Sequence, residues 1–334
     1  MRSSPLRRPM SRTGRSSSRW ATTPSKPGRD RSFTATRAKA RRTWCTAPTS
    51  NRLVSTSSGL RPSVWRDTVR ASNDGAVSVH TLRGVPVEVH ERGSGAIVVF
   101  VHGEDGLLFS GPLIAGIAHG ASVRSIVLPG WGDEPWPAHI TGVDDLAIVL
   151  LDYLVSLPGP VVLVGVSLGA WVVAEALVRG AANVRAAVLV APVGIKVRGR
   201  TDRDYLDLYA APAGEIARAM HASTPVVDRT MLAAVEFDEL ARAQHATTRY
   251  VWKPYFHDPK LRRRLDRVLV PVSIIYGATD RFVYDADEFY TAYANAFVPP
   301  ARVVRVADAA HRVDEECPRA IIDEIQRLVA EGLA

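Results

Sequence analysis

Val161-Val162-Leu163-Val164-Gly165-Val166-Ser167-Leu168-Gly169-Ala170-Trp171 opens as an apolar strand, turns through Gly-x-Ser-x-Gly and continues as a helix. A sharp strand-to-helix turn leaves no room for side chains two positions either side of a serine held in strained geometry, hence glycine at 165 and 169. Such a turn lifts the Ser167 hydroxyl out as a nucleophile. The pentapeptide alone is common by chance. Its context sets it apart, because β-branched and leucine residues precede it and Leu168, Val172, Val173, Ala176 and Leu177 recur after it with helical period.

Strand and helix signals alternate on both sides of this segment. Upstream, Val77 to Leu82 and Val85 to His90 read as a hairpin turning at Arg83-Gly84, followed by an apolar strand at Ala96 to Val101. A helix at Pro112 to His119, a strand at Val123 to Leu128 and a helix at Gly142 to Leu157 come next, the last with Thr141 as N-cap and Asp144 three residues on. Downstream lie strands at Val184 to Val190, Val268 to Tyr276 and Arg302 to Val306. Helices follow at Ala286 to Ala296 and from Pro318, where Ile321, Ile322, Ile325, Leu328 and Val329 form the core face. Near-continuous apolar strands separated by helices predict a mostly parallel central sheet covered on both faces, with its ligand site at the carboxyl ends of the strands. Residues 195–265 break the alternation with charge-rich, aromatic-rich helical segments, and we expect a helical lid there.

The chain has 334 residues, 46% of them hydrophobic, and a formal charge of +8 that is unevenly distributed. Residues 1 to 70 hold 17 Lys and Arg against Asp30 and Asp67, leaving 25 basic and 32 acidic side chains in the remainder, a balance of −7. The Ser, Thr, Arg and Pro of residues 1–72 cannot bury enough surface to offset ordering entropy, so this part is expected to be a disordered basic extension, with the functional protein beginning near residue 70. Arg7-Arg8 lacks the apolar stretch of an export signal. Residues 73–334 form the expected folded domain. Nothing in the chain reaches membrane-spanning apolar length. No nucleic-acid partner is expected for the folded domain, and Cys45 and Cys317 are too few for a disulfide framework, which points to the cytoplasm.

A serine hydroxyl needs a base to take its proton and an acid to orient that base. Asp280 follows the strand ending at Tyr276 through Gly277-Ala278-Thr279, and His311 follows the strand ending at Val306. Asp308 and Asp314 compete with Asp280 for the acid's role, but only Asp280 directly follows a parallel strand through a tight turn. No glycine precedes His311. His102 reads as a structural residue of its loop. Trp131, Trp171, Tyr205, Tyr209, Tyr250, Trp252, Tyr255 and Phe256 are candidates to line an apolar substrate pocket, although core packing is the commoner fate of any one of them.

His102-Gly103-Glu104-Asp105-Gly106, Leu128-Pro129-Gly130-Trp131-Gly132, the serine turn, Gly277-Ala278-Thr279-Asp280 and His311 occur in an order that resembles the α/β-hydrolase superfamily, in its lid-bearing group with esterases and carbon–carbon bond hydrolases. The resemblance covers residues from about 76 to 334. It implies catalysis by Ser167, Asp280 and His311 through an acyl-enzyme, with no cofactor and no metal, and an oxyanion hole formed by the backbone N–H groups of Glu104 and Leu168. Ser167 rather than aspartate at the turn argues against the related dehalogenases and epoxide hydrolases, which attack with a carboxylate. Two carboxylates beside a developing oxyanion are unusual, so Glu104 and Asp105 are expected to turn away, toward the first turn of the next helix; one facing the pocket would disfavour anionic substrates. The expected substrate is a small or medium apolar ester or related carbonyl compound. Cleavage of a carbon–carbon bond in a ring-cleavage product, or binding without catalysis, are the alternatives.

Overall fold

The computed structural model describes residues 75–332 apart from 135 and 224–231, so the expected basic extension, with Cys45, lies outside the described residues. Eight strands form one sheet: β1 Ala76–Leu82, β2 Val85–Arg92, β3 Ile97–Val101, β4 Ser122–Ile126, β5 Val161–Val166, β6 Val184–Val190, β7 Val272–Gly277 and β8 Arg302–Val306. Their order across the sheet is β1-β2-β4-β3-β5-β6-β7-β8. The β1–β2 and β2–β4 pairs are antiparallel and the other five pairings are parallel. The Arg83-Gly84 hairpin turn has positive φ at both residues, as a two-residue turn matching the strand twist requires.

Burial explains the apolar strands. In β3, Val99 and Val101 enter the core on one face and Val98 and Phe100 the core on the other, and β5 and β6 divide their side chains in the same way. Helices Val143–Val155 and Leu168–Val178 cover the first face, and Gly111–Ala118 and Pro318–Ala330 the second. On the terminal helix, Ile321, Ile322, Ile325 and Leu328 are buried as expected, while Val329 sits partly exposed at the edge of the stripe. Between β6 and β7 the described residues carry helices Ala213–Met220 and Ala234–Val251.

Where element ends differ from the sequence reading, hydrogen bonding accounts for it. The expected strand to Leu128 stops at Ile126 because the Leu128 N–H donates to His102 Nε2 (3.1 Å) rather than to a neighbouring strand. β7 starts at Val272, since Pro271 has no N–H to give the ladder. The helix after Gly142 is capped one residue later than expected. Asp145, not Asp144, accepts from the backbone N–H groups of Thr141 (2.7 Å) and Gly142 (3.1 Å) and from the Thr141 hydroxyl (3.0 Å).

The turn after β5 is set by close backbone approach. A Cβ on Gly169 would lie 2.2 Å from the His102 carbonyl oxygen and 2.3 Å from that of Val101, and one on Gly165 would lie 2.6 Å from the Gly169 carbonyl oxygen. Helix propensity alone favours alanine over glycine by about 1 kcal/mol. Gly169→Ala is nonetheless expected to destabilise the fold by about 1–3 kcal/mol through overpacking, read as a Tm several degrees lower. A Tm equal to or above wild type would show that the approach is not the constraint.

Candidate active site

The carboxyl ends of β3, β5, β7 and β8 lie on one edge of the sheet, and each delivers one functional group. β5 delivers Ser167, whose backbone sits at φ 48°, ψ −110°, a conformation costing about 1–3 kcal/mol that the flanking strand and helix impose. Its N–H is tied to the Val190 carbonyl of β6 (2.8 Å). β7 delivers Asp280 through the expected turn, pinned to the next loop by Ala278 N–H to Val306 O (2.7 Å) and Thr279 N–H to Ala309 O (3.0 Å). β8 delivers His311.

The three side chains meet. His311 Nε2 lies 2.8 Å from Ser167 Oγ and its Nδ1 lies 2.9 Å from Asp280 Oδ2. Asp280 is fixed by four donors: its Oδ1 accepts from the N–H groups of Phe282 (2.9 Å) and Val283 (3.1 Å), and its Oδ2 takes the Tyr290 hydroxyl (2.7 Å) besides His311. Asp308 is exposed and Asp314 is paired with Arg312, so neither faces His311. Tyr290, on helix Ala286–Ala294, is a contributor that sequence reasoning missed; nothing in its spacing separates it from the neighbouring core residues Phe289 and Tyr293.

His311 is held without the glycine absent before it. Glu316 Oε2 accepts from the Ala310 N–H (2.8 Å) and Arg312 N–H donates to the Met220 carbonyl (3.0 Å). Glu316 Oε1 takes the N–H groups of Ala222 (2.8 Å) and Ser223 (3.2 Å), tying this loop to the end of helix Ala213–Met220. Next to it, the buried Arg312 guanidinium is faced by Asp105 (2.5 Å), Asp314 (3.0 Å) and Glu315 (2.7 Å). Burial opposes that charge, but Asp314, Glu315 and Asp105 outweigh it and keep Arg312 protonated.

The loop after β3 departs from expectation. The Glu104 carboxylate does not turn away: its Oε1 accepts from the Ser167 hydroxyl (2.5 Å) and from the Leu168 N–H (3.3 Å). Asp105 does not reach the following helix but pairs with Arg312. Carbonyl contacts set this arrangement, because the Glu104 carbonyl accepts from Trp131 Nε1 (2.9 Å) and Thr247 Oγ1 (3.1 Å). His102 has the structural role expected, with Nδ1 on the Gly103 carbonyl (2.8 Å) and Nε2 on Leu128, and burial pushes its imidazole down to about 4.

A single hydroxyl proton cannot serve two acceptors. With Glu104 Oε1 and His311 Nε2 both on Ser167 Oγ, a hydroxyl that donates to the carboxylate leaves its oxygen to accept from Nε2, which requires the imidazole to carry a proton there. The electrostatics agree: burial works against charge on His311, and Asp280 and Glu104 overcome it, raising the imidazole above its ordinary value while Arg312 opposes them.

A cavity of about 350 Å³ lies under helices Ala213–Met220 and Ala234–Val251, with Leu208, Ile216 and Met220 on its apolar side and Glu104, Thr247 and Gln244 on its polar side. Of the aromatic candidates, Tyr209 alone lines it. Trp131 stacks on Tyr250 (5.5 Å) beside the loop of Glu104, Trp171 is buried in the main core, and Phe256 is buried among Tyr205, Tyr255 and Phe282. Tyr205 bonds the Ile195 carbonyl through its hydroxyl, and Trp252 stands exposed at a separate charged depression. Trp131, Trp171, Tyr250 and Phe256 thus pack against neighbours, while Tyr205, Trp252 and Tyr255 border that second depression.

Residues 98–324 match the profile of the Alpha/beta hydrolase family. This chain belongs to that family. Similar solved structures of this hydrolase fold include a serine hydrolase involved in carbazole degradation, the CarC enzyme (TM-score 0.61, 17% identity, covering 76% of this chain and 98% of that one). Naproxen esterase from Bacillus subtilis is a second (TM-score 0.60, 17% identity, 80% and 96% covered). The epoxide hydrolase CorEH is a third (TM-score 0.60, 16% identity, 77% and 99% covered). No curated protein sequence matches the chain. Among the described residues of this alpha/beta hydrolase, no helix is long and apolar enough to cross a membrane.

Removing one member of the Arg312 cluster tests how tightly this edge of the sheet is built. Arg312→Ala leaves Asp105, Asp314 and Glu315 facing one another without their counter-charge and is expected to cost about 3–5 kcal/mol in urea denaturation. A loss under 1 kcal/mol would mean that water, rather than Arg312, compensates these carboxylates.

Proposed function

We propose that this protein is a serine hydrolase that cleaves a small or medium apolar ester, or a related carbonyl compound. What carries the reading is one continuous chain of hydrogen bonds, Tyr290 to Asp280 to His311 to Ser167, ending on a serine whose strained backbone places Oγ at the first turn of a helix. Ser167 Oγ attacks the carbonyl carbon as its proton passes to neutral His311. The acyl–oxygen bond then breaks, the alcohol leaves with that proton, and water hydrolyses the acyl-enzyme by the same route in reverse. Asp280 holds the imidazole with Nδ1–H toward itself and Nε2 toward the serine. The apolar side of the cavity supports an uncharged alkyl portion in the substrate.

Glu104 Oε1 occupies the position on the Leu168 N–H that the oxyanion would take. Turnover therefore requires the carboxyl group to withdraw, since an anion there repels the charge that develops on the substrate oxygen. The esterase and serine-hydrolase activities named for two structural neighbours agree with the reading but come from chains sharing only 17% identity with this one. The scarcity of cysteine supports a reducing compartment, and we place the activity in the cytoplasm.

A fluorophosphonate probe is expected to label wild type and not Ser167→Ala, with esterase activity of that variant reduced by at least ~10³-fold. Folded wild type that takes no label would favour a binding protein on this fold, and labelling without ester turnover would favour carbon–carbon cleavage. Rate should rise with pH through a midpoint above that of an ordinary imidazole, because His311 must be neutral to act and Asp280 and Glu104 raise its pKa. Glu104→Gln removes one of those anions, so the midpoint is expected at lower pH; a midpoint moving upward would contradict the assignment.

A further inference from the structure

Glu104 separates the cavity from the serine. Its side chain lines the cavity, yet its carboxyl group rests on Ser167 Oγ and the Leu168 N–H, while Ser167 and His311 are themselves buried. Any acyl group entering from the cavity meets this carboxylate before it meets the hydroxyl.

The charge around the cavity is one-sided. Among the described residues its lining contains Glu104, Asp105 and His221 and no Lys or Arg. Asp105 shares the Arg312 guanidinium with Asp314 and Glu315 behind the wall, and His221 Nε2 lies 3.3 Å from Glu315 Oε2. Glu104 lies apart from that cluster and faces His311 across Ser167 Oγ. Its field also reaches the Tyr209 phenol on the cavity wall.

From these observations we infer that Glu104 is a specificity-determining residue that selects acyl substrates carrying an ammonium group on the carbon next to the scissile carbonyl. The inference rests on the serine hydrolase reading of the same site and names its substrate class. Distance makes the argument. The carbonyl carbon must come to about 3 Å from Oγ, so a carboxylate already hydrogen-bonded to Oγ is within short reach of a substituent one bond from that carbon. An ammonium there offers Glu104 charge-assisted hydrogen bonds in place of the hydroxyl and the Leu168 N–H. Its withdrawal frees the N–H for the oxyanion. The same movement takes an anion away from His311, which still faces Asp280 and Arg312, and the imidazole releases its proton to solvent and becomes the base. A neutral ester offers Glu104 no such replacement, and an anionic one is repelled. Tyr209 supplies a ring face on the cavity wall for the same cation.

The test compares L-leucine ethyl ester, at a pH below the pKa of its amine, with the isosteric ethyl ester in which methyl replaces the ammonium. Wild type is expected to favour the leucine ester in kcat/KM by at least ~10-fold, the scale of one hydrogen bond to a charged group. In Glu104→Gln the ratio should fall toward one, mainly through KM for the leucine ester, while turnover of the neutral ester rises. Glu104→Asp keeps the charge and should keep part of the preference. Both variants are checked for folding by thermal melting, and if neither folds the wild-type ratio alone decides. A wild-type ratio near or below one, or a ratio unchanged in Glu104→Gln, would overturn the inference and leave Glu104 as an occupant of the oxyanion site without selectivity. Cleavage of neither ester by a wild type that fluorophosphonate labels overturns the inference alone; without labelling, the hydrolase reading falls with it.

Discussion

The packing of the helix after β5 against the end of β3 is the constraint from which the site is built. With the His102 and Val101 carbonyls where a Cβ at residue 169 would be, the helix N-terminus lies directly on the loop after β3. That proximity forces Ser167 to positive φ, aims the Leu168 N–H at the same point as Oγ, and brings the side chain of residue 104 within reach of both. A looser turn would relax the serine and open the angle between the two groups. The strain is sustained by two apolar cores, one on each face of the sheet, in which β5 is buried along its whole length.

Charge is distributed around this point in two separate groups. One gathers around Arg312, with Asp105, Asp314 and Glu315 buried against its guanidinium and His221 beside Glu315. The other runs in line through the reacting atoms, from Tyr290 through Asp280 and His311 to Ser167 and Glu104. Asp280 on one side and Glu104 on the other favour charge on His311, and Arg312, though held among its own carboxylates, opposes it.

The backbone of this site was legible in the sequence, because its determinants are local. Apolar runs mark strands buried on both faces, glycines mark a turn with no room for Cβ, and residues directly after parallel strands must lie on one edge, which brought Ser167, Asp280 and His311 together on paper as in three dimensions. Side-chain direction was not legible. Glu104 was expected to point away on general electrostatic grounds, and it points inward because its carbonyl is anchored by Trp131 and Thr247, the latter 143 residues distant in the chain. The aromatic residues were not legible for a related reason: composition reports how many rings a segment holds, and only packing tells that Trp131 and Phe256 face neighbours while Tyr209 faces the cavity. Tyr290 and Glu316 left no mark, the first being one of three aromatic residues in its helix and the second one of three acidic residues in its own.

Glu316 joins parts of the chain that lie far apart in sequence. One of its oxygens holds the main chain just before His311, and the other holds the main chain just beyond the helix Ala213–Met220. The covering segment and the loop that carries His311 are therefore tied together through one carboxylate. A chimera that exchanged the segment between β6 and β7 for a relative's would carry foreign backbone to this carboxylate, and its first casualty would be the placement of the imidazole rather than the shape of the pocket.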